Sequence, residues 1–137
     1  DALVLFDTGM IPDNNTASLT AAGYTPGDVT HIVLTHMHPD HISGLMAGGT
    51  PNFPNAELIF PKTENDFWSA SPSEAYTANV APLAAKARQI ADGDEILPGI
   101  RAGAADNQRR RAANAGPVVG SADTRDARLG QAGLSLR

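Results

Sequence analysis

The stretch Thr35–His41, which reads THMHPDH, places three histidines and one aspartate within six residues. It follows directly on the apolar run Ile32-Val33-Leu34, which predicts a strand that ends at these polar residues. Imidazole nitrogens and carboxylate oxygens together are typical ligands of zinc and similar divalent ions. The stretch therefore predicts a metal site in the loop at the end of a strand.

The spacing of the ligands in this loop indicates two neighbouring ions. His36 and His38 are two residues apart, so in an extended loop their side chains point the same way and can bind one ion. Pro39 favours extended backbone at the residue before it, which helps to hold that arrangement. Asp40 and His41 follow where the chain turns, and they can face a second ion close by.

The alternative interpretation is a polar loop that is rich in histidine by chance. Ligand type and spacing agree on a metal site, and we therefore favour that interpretation. His31, the remaining histidine, precedes the strand and faces no evident partner. We expect it at the surface or at a strand edge.

The segment His36–His41 resembles the HxHxDH signature of the metallo-β-lactamase superfamily. Asp7-Thr8-Gly9 resembles the strand and turn that are usual in that superfamily. Further segments resemble the branch that contains methyl parathion hydrolase and related lactonases and esterases, namely residues 21–24, 29–46, 53–56, 67–68 and 97–100. The resemblance extends from residue 1 to residue 102.

The resemblance implies an α/β (α+β) fold, the αββα sandwich of two mixed sheets between helix layers. This chain is expected to supply part of its N-terminal half, with an unpaired strand edge that favours a homodimer or aggregation. The resemblance also implies two divalent metal ions, expected to be zinc, with His36, His38, Asp40 and His41 as ligands. Asp7 is expected to support the loop Thr35–His41, called the metal loop below. On composition alone, Asp7 suits an ordinary turn equally well.

The implied activity is metal-dependent hydrolysis of an ester, lactone or phosphotriester by a metal-bound hydroxide. Asp40 is the candidate catalytic residue, because it would orient the hydroxide as well as bind the second ion. The superfamily pattern adds further ligands downstream, but no histidine follows His41 in this sequence. The alternative is therefore a truncated, catalytically inactive fragment that binds metal weakly. Phe67 and Trp68 are weak candidates for substrate binding, and packing is the favoured interpretation of both.

The charge of the chain changes sign at about residue 101. The first hundred residues hold two Lys and one Arg against twelve acidic residues, whereas residues 101–137 hold seven Arg against three Asp. We predict a domain over residues 1–102 and a disordered Ala/Arg/Gly tail over residues 103–137, which a frameshift would explain. A less favoured hypothesis is a non-enzymatic module whose basic tail binds anions.

Length and composition limit the number of domains, the kinds of site and the partners that the chain can have. The 137 residues suit one domain, and the absence of cysteine excludes disulfides and thiolate metal sites. The net charge of −5 argues against nucleic acid as a partner. No signal peptide and no membrane-spanning apolar run is visible, and the compartment stays open. The expected partner is a small-molecule substrate.

Local patterns predict the order of helices and strands. The predicted strands are 2–6 (buried on both faces), 31–35, 56–60 and 95–97, and the predicted helices are 16–22, 42–46, 62–68 and 78–91. Asn15 or Thr16 would cap the first helix and Gly23 would close it. Residues 12–15, 48–55 and 69–77 are predicted as loops.

Overall fold

A computed structural model of the protein describes residues 2–103 and 134–136. The chain divides into two compact units, Asp1–Gln89 and Ile90–Arg137. Within the described ranges, no helix is both long and apolar enough to cross a membrane. The tail that we predict to be disordered lies mostly outside the described residues, and its residues Leu134–Leu136 form a strand.

Short strands alternate with short helices along the described part of the chain. The strands are β1 (Val4–Phe6), β2 (His31–Val33), β3 (Met46–Ala47), β4 (Thr50–Pro51), β5 (Glu57–Pro61), β6 (Arg88–Ile90), β7 (Glu95–Leu97), β8 (Ile100–Ala102) and β9 (Leu134–Leu136). The helices are α1 (Pro12–Ala21), α2 (Pro39–Ile42), α3 (Lys62–Ala70), α4 (Glu74–Asn79) and α5 (Ala81–Ala84), with 3-10 turns at Pro26–Asp28 and Ser43–Leu45.

The main sheet has the strand order β1-β2-β5-β6. Strands β1, β2 and β5 are parallel, and Ile32 pairs with Leu5 on one side and with Leu58 on the other. Because the carboxyl ends of parallel strands meet at one edge of a sheet, the segments that follow β1, β2 and β5 come together there. These segments contain Asp7, the loop Thr35–His41 and helix α3.

The prediction that the first strand is buried on both faces was wrong. Strand β1 lies at the end of the described strand order, and Phe6 is 41% exposed. By contrast, β2 and β5 each have a strand on both sides, and their apolar residues are almost fully buried. An apolar run thus does not distinguish an edge strand from a central strand when its other contacts are unknown.

The core forms around the two central strands. Its fully buried side chains include Leu34 just before the metal loop, Met37 within it and Ile42 just after it. Phe60 from β5 joins the same cluster. The loop is therefore anchored in the core by Met37, which lies between His36 and His38, and by Leu34 and Ile42 at its two ends.

Helix α1 begins earlier than its predicted capping residues. Pro12 occupies its first turn, where the fixed φ of proline suits a helix start, so the loop predicted for residues 12–15 was wrong. Its predicted end is confirmed. Gly23, at φ 84°, donates its amide to Thr20, and the Tyr24 amide donates to Leu19, so the left-handed glycine closes the last turn.

The alanine-rich segment is not the single helix predicted for residues 78–91. Helix α4 starts within the predicted loop 69–77, because the Ser73 hydroxyl caps it by accepting the Tyr76 amide at 3.1 Å. Pro82 falls in the first turn of the separate helix α5, and a proline cannot continue a preceding helix. The end of the predicted helix is strand β6 instead.

The predicted glycine-rich loop 48–55 includes the turn and the second strand of a small hairpin, in which β3 and β4 pair as antiparallel strands. In the second unit, β7 confirms the strand predicted for residues 95–97. It pairs with β8 across a turn that contains Gly99 at φ 83°, and β8 pairs with β9.

Candidate metal centre

The loop Thr35–His41 is held by carboxylates from both sides. Asp7, just after β1, accepts the Thr35 amide at 2.8 Å. Glu64, on α3, accepts the Met37 amide at 3.1 Å. These two contacts take the place of the ladder hydrogen bonds that the loop loses where it leaves β2, and they fix its path between the histidines.

Two of the candidate ligands lie on a helix rather than before one. Helix α2 begins at Pro39, and Asp40 and His41 are in its first turn. The helix predicted for residues 42–46 begins earlier than expected, because it starts as soon as Pro39 supplies a helical φ. Residues Ser43–Leu45 continue it as a 3-10 turn. Thus His36 and His38 project from extended chain, and Asp40 and His41 project from a helix.

His36 and His38 present two ring nitrogens that lack a partner. Their ring centroids are 4.8 Å apart at an interplanar angle of 84°. Within the described part of the chain, Nε2 of His36 and Nδ1 of His38 are buried atoms that have no hydrogen-bond partner. A buried polar atom without a partner is costly and calls for an explanation. A divalent metal ion accepts lone pairs from imidazole nitrogens, so these two residues fit the metal that the motif predicts.

Asp7 organises the metal loop through three hydrogen bonds. Besides the Thr35 amide, it accepts the Thr35 hydroxyl and His41 Nδ1, each at 2.8 Å. Asp7 adopts a left-handed backbone, with φ 58°, which is uncommon outside glycine but open to aspartate. The supporting role that the resemblance implies for Asp7 thus has a geometric basis.

These hydrogen bonds also assign the protons of two histidines. The Thr35 hydroxyl gives its one proton to Asp7, so its oxygen accepts from Nδ1 of His36, 3.1 Å away. His41 donates from Nδ1 to Asp7 directly. In the neutral form of both rings the proton therefore lies on Nδ1, and the lone pair on Nε2 is left for a metal. A carboxylate behind a histidine ligand is the usual arrangement for fixing this tautomer.

The electrostatics of the cluster keep His36 neutral. Burial, and then the neighbouring rings of His41 and His38, lower its pKa from 6.5 to about 4. Asp7 and Asp40 act in the opposite direction without reversing the shift. Neutral imidazole is the form that binds metal, so metal binding near neutral pH does not require His36 to release a proton.

Asp40 and His41, the candidate ligands of a second ion, lie beside the first two histidines. Asp40 Oδ2 lies 3.4 Å from His41 Nε2, and the His41 ring centroid lies 3.9 Å from that of His36. No set of three or more His, Cys, Asp or Glu side chains among the described residues is arranged to hold one ion. The assignment of one pair of ligands to each ion, which the spacing predicts, stays a prediction.

Of the two aromatic candidates, Trp68 is the one beside the histidines. Its ring centroid is 5.7 Å from that of His38, at an angle of 79°. Trp68 also packs against the core, which agrees with the packing interpretation. Phe67 is 51% exposed and contacts the Trp68 ring at 5.3 Å.

His31 lies apart from the cluster. It is the first residue of β2, half-buried, with Nδ1 at 2.8 Å from the Thr30 hydroxyl. The roles of Thr35 and Glu64 were missed by the sequence analysis. The spacing of Glu64 and Trp68 by four residues indicates that both lie on one helix face, but no signal in the sequence connects Glu64 with Met37.

A family model described as the metallo-beta-lactamase superfamily matches residues 1–125. The chain belongs to this superfamily. The match extends beyond residue 102, where the resemblance seen in the sequence ends. No curated protein sequence matches the chain.

Solved structures of the superfamily share the fold of this chain. One is the crystal structure of hydrolase AbOPH in the beta lactamase superfamily, with TM-score 0.64 and 29% identity over 74% of this chain and 43% of that one. Another is AidC, a dizinc quorum-quenching lactonase in complex with the product N-hexanoyl-L-homoserine, with TM-score 0.61 and 27% identity over 77% and 45%. A Bacillus thuringiensis AiiA mutant with N-decanoyl-L-homoserine bound at its active site has TM-score 0.57 and 22% identity over 76% and 49%. The chain thus has a mixed α/β, partial metallo-β-lactamase fold and spans under half the length of these superfamily members.

Proposed function

We propose that this chain carries the metal-binding loop of a metal-dependent hydrolase that acts on an ester, lactone or phosphotriester. The observation that carries the proposal is the pair of buried, unpartnered ring nitrogens, Nε2 of His36 and Nδ1 of His38, within the described residues. Asp40 and His41 provide the ligands for a second ion beside them. Zinc is the favoured metal, because imidazole and carboxylate suit it.

The side chains have separate roles in this proposal. Divalent ions bound in such a site supply a hydroxide nucleophile at neutral pH and polarise the electrophilic oxygen of the substrate. His36, His38 and His41 act as metal ligands and not as acid–base groups. Asp40 binds the second ion and orients the nucleophile. Asp7 holds His41 and, through Thr35, the His36 ring in the tautomers that leave Nε2 free.

A lactone is the substrate class to test first. AidC, described as a dizinc lactonase with a bound acyl-homoserine product, is 27% identical to this chain. Trp68 and the exposed Phe67 place apolar surface next to His38, where the acyl part of such a substrate could bind. Esters and phosphotriesters stay in the proposal as alternative substrates.

A second candidate is a metal-binding chain without turnover. It is favoured by the ligand count, because the described residues supply two ligands to each ion whereas catalytic zinc usually has three and a water. In that case water or another chain would complete the coordination. Weak binding without hydrolysis is the expected behaviour.

The test combines zinc content with hydrolysis by the full chain. We expect zinc to bind, N-hexanoyl-homoserine lactone to be hydrolysed, and both to be lost in His38→Ala or with EDTA. An aryl ester and paraoxon serve as the other substrates. His31→Ala, which removes the one histidine outside the cluster, should retain both properties. Zinc binding without hydrolysis of any of these substrates would support the second candidate. If zinc binding did not depend on His38, both candidates would be overturned.

A further inference from the structure

Helix α3 supplies a carboxylate to the metal loop that no ligand motif contains. Glu64 Oε2 accepts the Met37 amide at 3.1 Å, and the same oxygen accepts the indole N–H of Trp68 at 3.1 Å. Met37 lies between His36 and His38, and its side chain is fully buried. One carboxylate oxygen therefore fixes both the peptide that separates the two histidines and the aromatic ring beside one of them.

Glu64 mirrors the position of Asp7. Asp7 binds the loop where it leaves β2 and sets the rings of His36 and His41. None of these contacts reaches His38, whose Nδ1 is one of the unpartnered nitrogens. The indole of Trp68 meets the His38 ring at 79°, so the hydrogen bond from Trp68 to Glu64 determines what His38 packs against.

We propose that Glu64 is a positioning residue for His38: through the Met37 amide and the Trp68 indole, it holds the His38 ring in its metal-binding orientation. The inference rests on the proposed function, since it concerns the same metal pair. Groups behind the ligands of a metal site commonly change metal affinity about 10- to 100-fold when they are mutated. Glu64 is half-buried, so its hydrogen bonds are only partly exposed to competing water.

The test measures zinc affinity of the full chain by competition with a chromogenic chelator. Glu64→Ala should weaken zinc binding about 10-fold. Glu64→Gln keeps an oxygen acceptor for both N–H groups, and it should recover most of the lost affinity. Asp66→Asn is the matched control, because it removes one negative charge from the same helix at an exposed position, 56% accessible and paired with Lys62. This control should bind zinc like the wild type.

A second measurement separates positioning from general stability. Trp68 is the only tryptophan of the chain, so its fluorescence reports directly on the neighbourhood of His38. In the wild type, saturation with zinc should change the Trp68 emission. In Glu64→Ala at saturating zinc this change should be lost, while circular dichroism stays that of the wild type.

The outcomes distinguish this inference from the proposed function. If the wild type shows no zinc binding that depends on His38, the proposed function fails first. If the wild type binds zinc and Glu64→Ala binds it equally tightly with the same change in Trp68 emission, Glu64 has no positioning role. Should Glu64→Ala not fold, Trp68→Phe decides instead, because it removes the indole N–H that Glu64 accepts and keeps an aromatic ring beside His38. Weaker zinc binding by Trp68→Phe than by the wild type supports the inference, and zinc binding equal to that of the wild type overturns it.

Discussion

At the scale of single residues, Gly44 sets the distance between two segments that build the site. Thr8 follows Asp7, and both its amide and its hydroxyl donate to the His41 carbonyl, at 2.7 Å and 2.9 Å. Gly44 lies directly against this junction. A Cβ on Gly44 would overlap the Thr8 carbonyl oxygen and the Asn15 side-chain amide. Because one obstacle is backbone, a side-chain rotation cannot relieve the overlap.

We therefore predict that Gly44→Ala lowers the free energy of unfolding by about 1–3 kcal/mol, the usual cost of an overpacked site. Urea unfolding followed by circular dichroism measures the change. Gly27→Ala is the control, since a Cβ there would meet its nearest atoms, in Asn55 and Thr25, at an ordinary 3.7 Å. If the two variants unfolded at the same urea concentration, close packing at Gly44 would not be what stabilises the junction.

Residue type and spacing predict the candidate ligands, and the resemblance predicts support from Asp7, whereas the contact of Glu64 with the loop could not be predicted. His36, His38, Asp40 and His41 are adjacent in sequence, so ligand type and spacing suffice to identify them. The hydrogen bond from Met37 to Glu64 spans 27 residues, and that from His41 to Asp7 spans 34. Only the parallel pairing of β1, β2 and β5 brings these carboxylates to the loop, and a sequence pattern does not encode that proximity.

At the scale of secondary-structure elements, the 3-10 turn before β2 shows how a local cap stabilises the approach to the site. The Asp28 carboxylate accepts the Thr25 amide at 2.7 Å and the Thr25 hydroxyl at 2.8 Å. These hydrogen bonds from the Thr25 hydroxyl and amide lower the pKa of Asp28 from its ordinary value of 3.8. A depressed carboxyl pKa means that ionisation favours the folded state.

The stabilisation from Asp28 should therefore be complete above pH 3.8, the ordinary value, and should disappear as the pH falls through its lower folded pKa. We predict that Asp28→Asn unfolds at a lower temperature than the wild type at neutral pH, and that the two melting curves converge in strong acid. Thermal melts over a pH series test this. A difference that stayed constant into strong acid would show that the charge of Asp28 plays no part.

Prediction of the elements succeeded where a boundary depends on local chemistry. Gly23 ends α1, as predicted, because the backbone freedom of glycine acts within a few residues of the helix end. Prediction failed for residues 78–91, where alanine suits a helix but Pro82 divides the segment and β6 joins the sheet. Propensity is a weak guide when strand pairing competes with it.

At the scale of the whole molecule, the exposed edge near β1 favours self-association. Phe6, Met10 and Ile11 are 41%, 54% and 51% exposed, and β1 is the terminal strand of its sheet in the described part of the chain. An open strand edge beside exposed apolar side chains is a template for pairing with another copy. This surface is consistent with the homodimer or aggregation expected from the sequence.

We predict that the full chain associates with increasing concentration, and that Phe6→Lys combined with Ile11→Lys weakens this association. Sedimentation velocity over a concentration series measures it. Tyr24→Lys is the control, because Tyr24 is 46% exposed but lies beyond α1. A wild type that remains monomeric at every concentration would contradict the prediction.

The closeness of the four candidate ligands in sequence has a consequence for the denatured chain. His36, His38, Asp40 and His41 stay within six residues of one another even when nothing is folded, so gathering them costs little loop-closure entropy. Zinc should then bind not only the native chain but also, more weakly, the unfolded chain. A ligand stabilises a protein only by the difference between these two affinities. Zinc should accordingly raise the melting temperature by less than its affinity for the native chain implies. Most of the stabilisation by zinc should come from the orientation that Asp7 and Glu64 impose on the histidine rings.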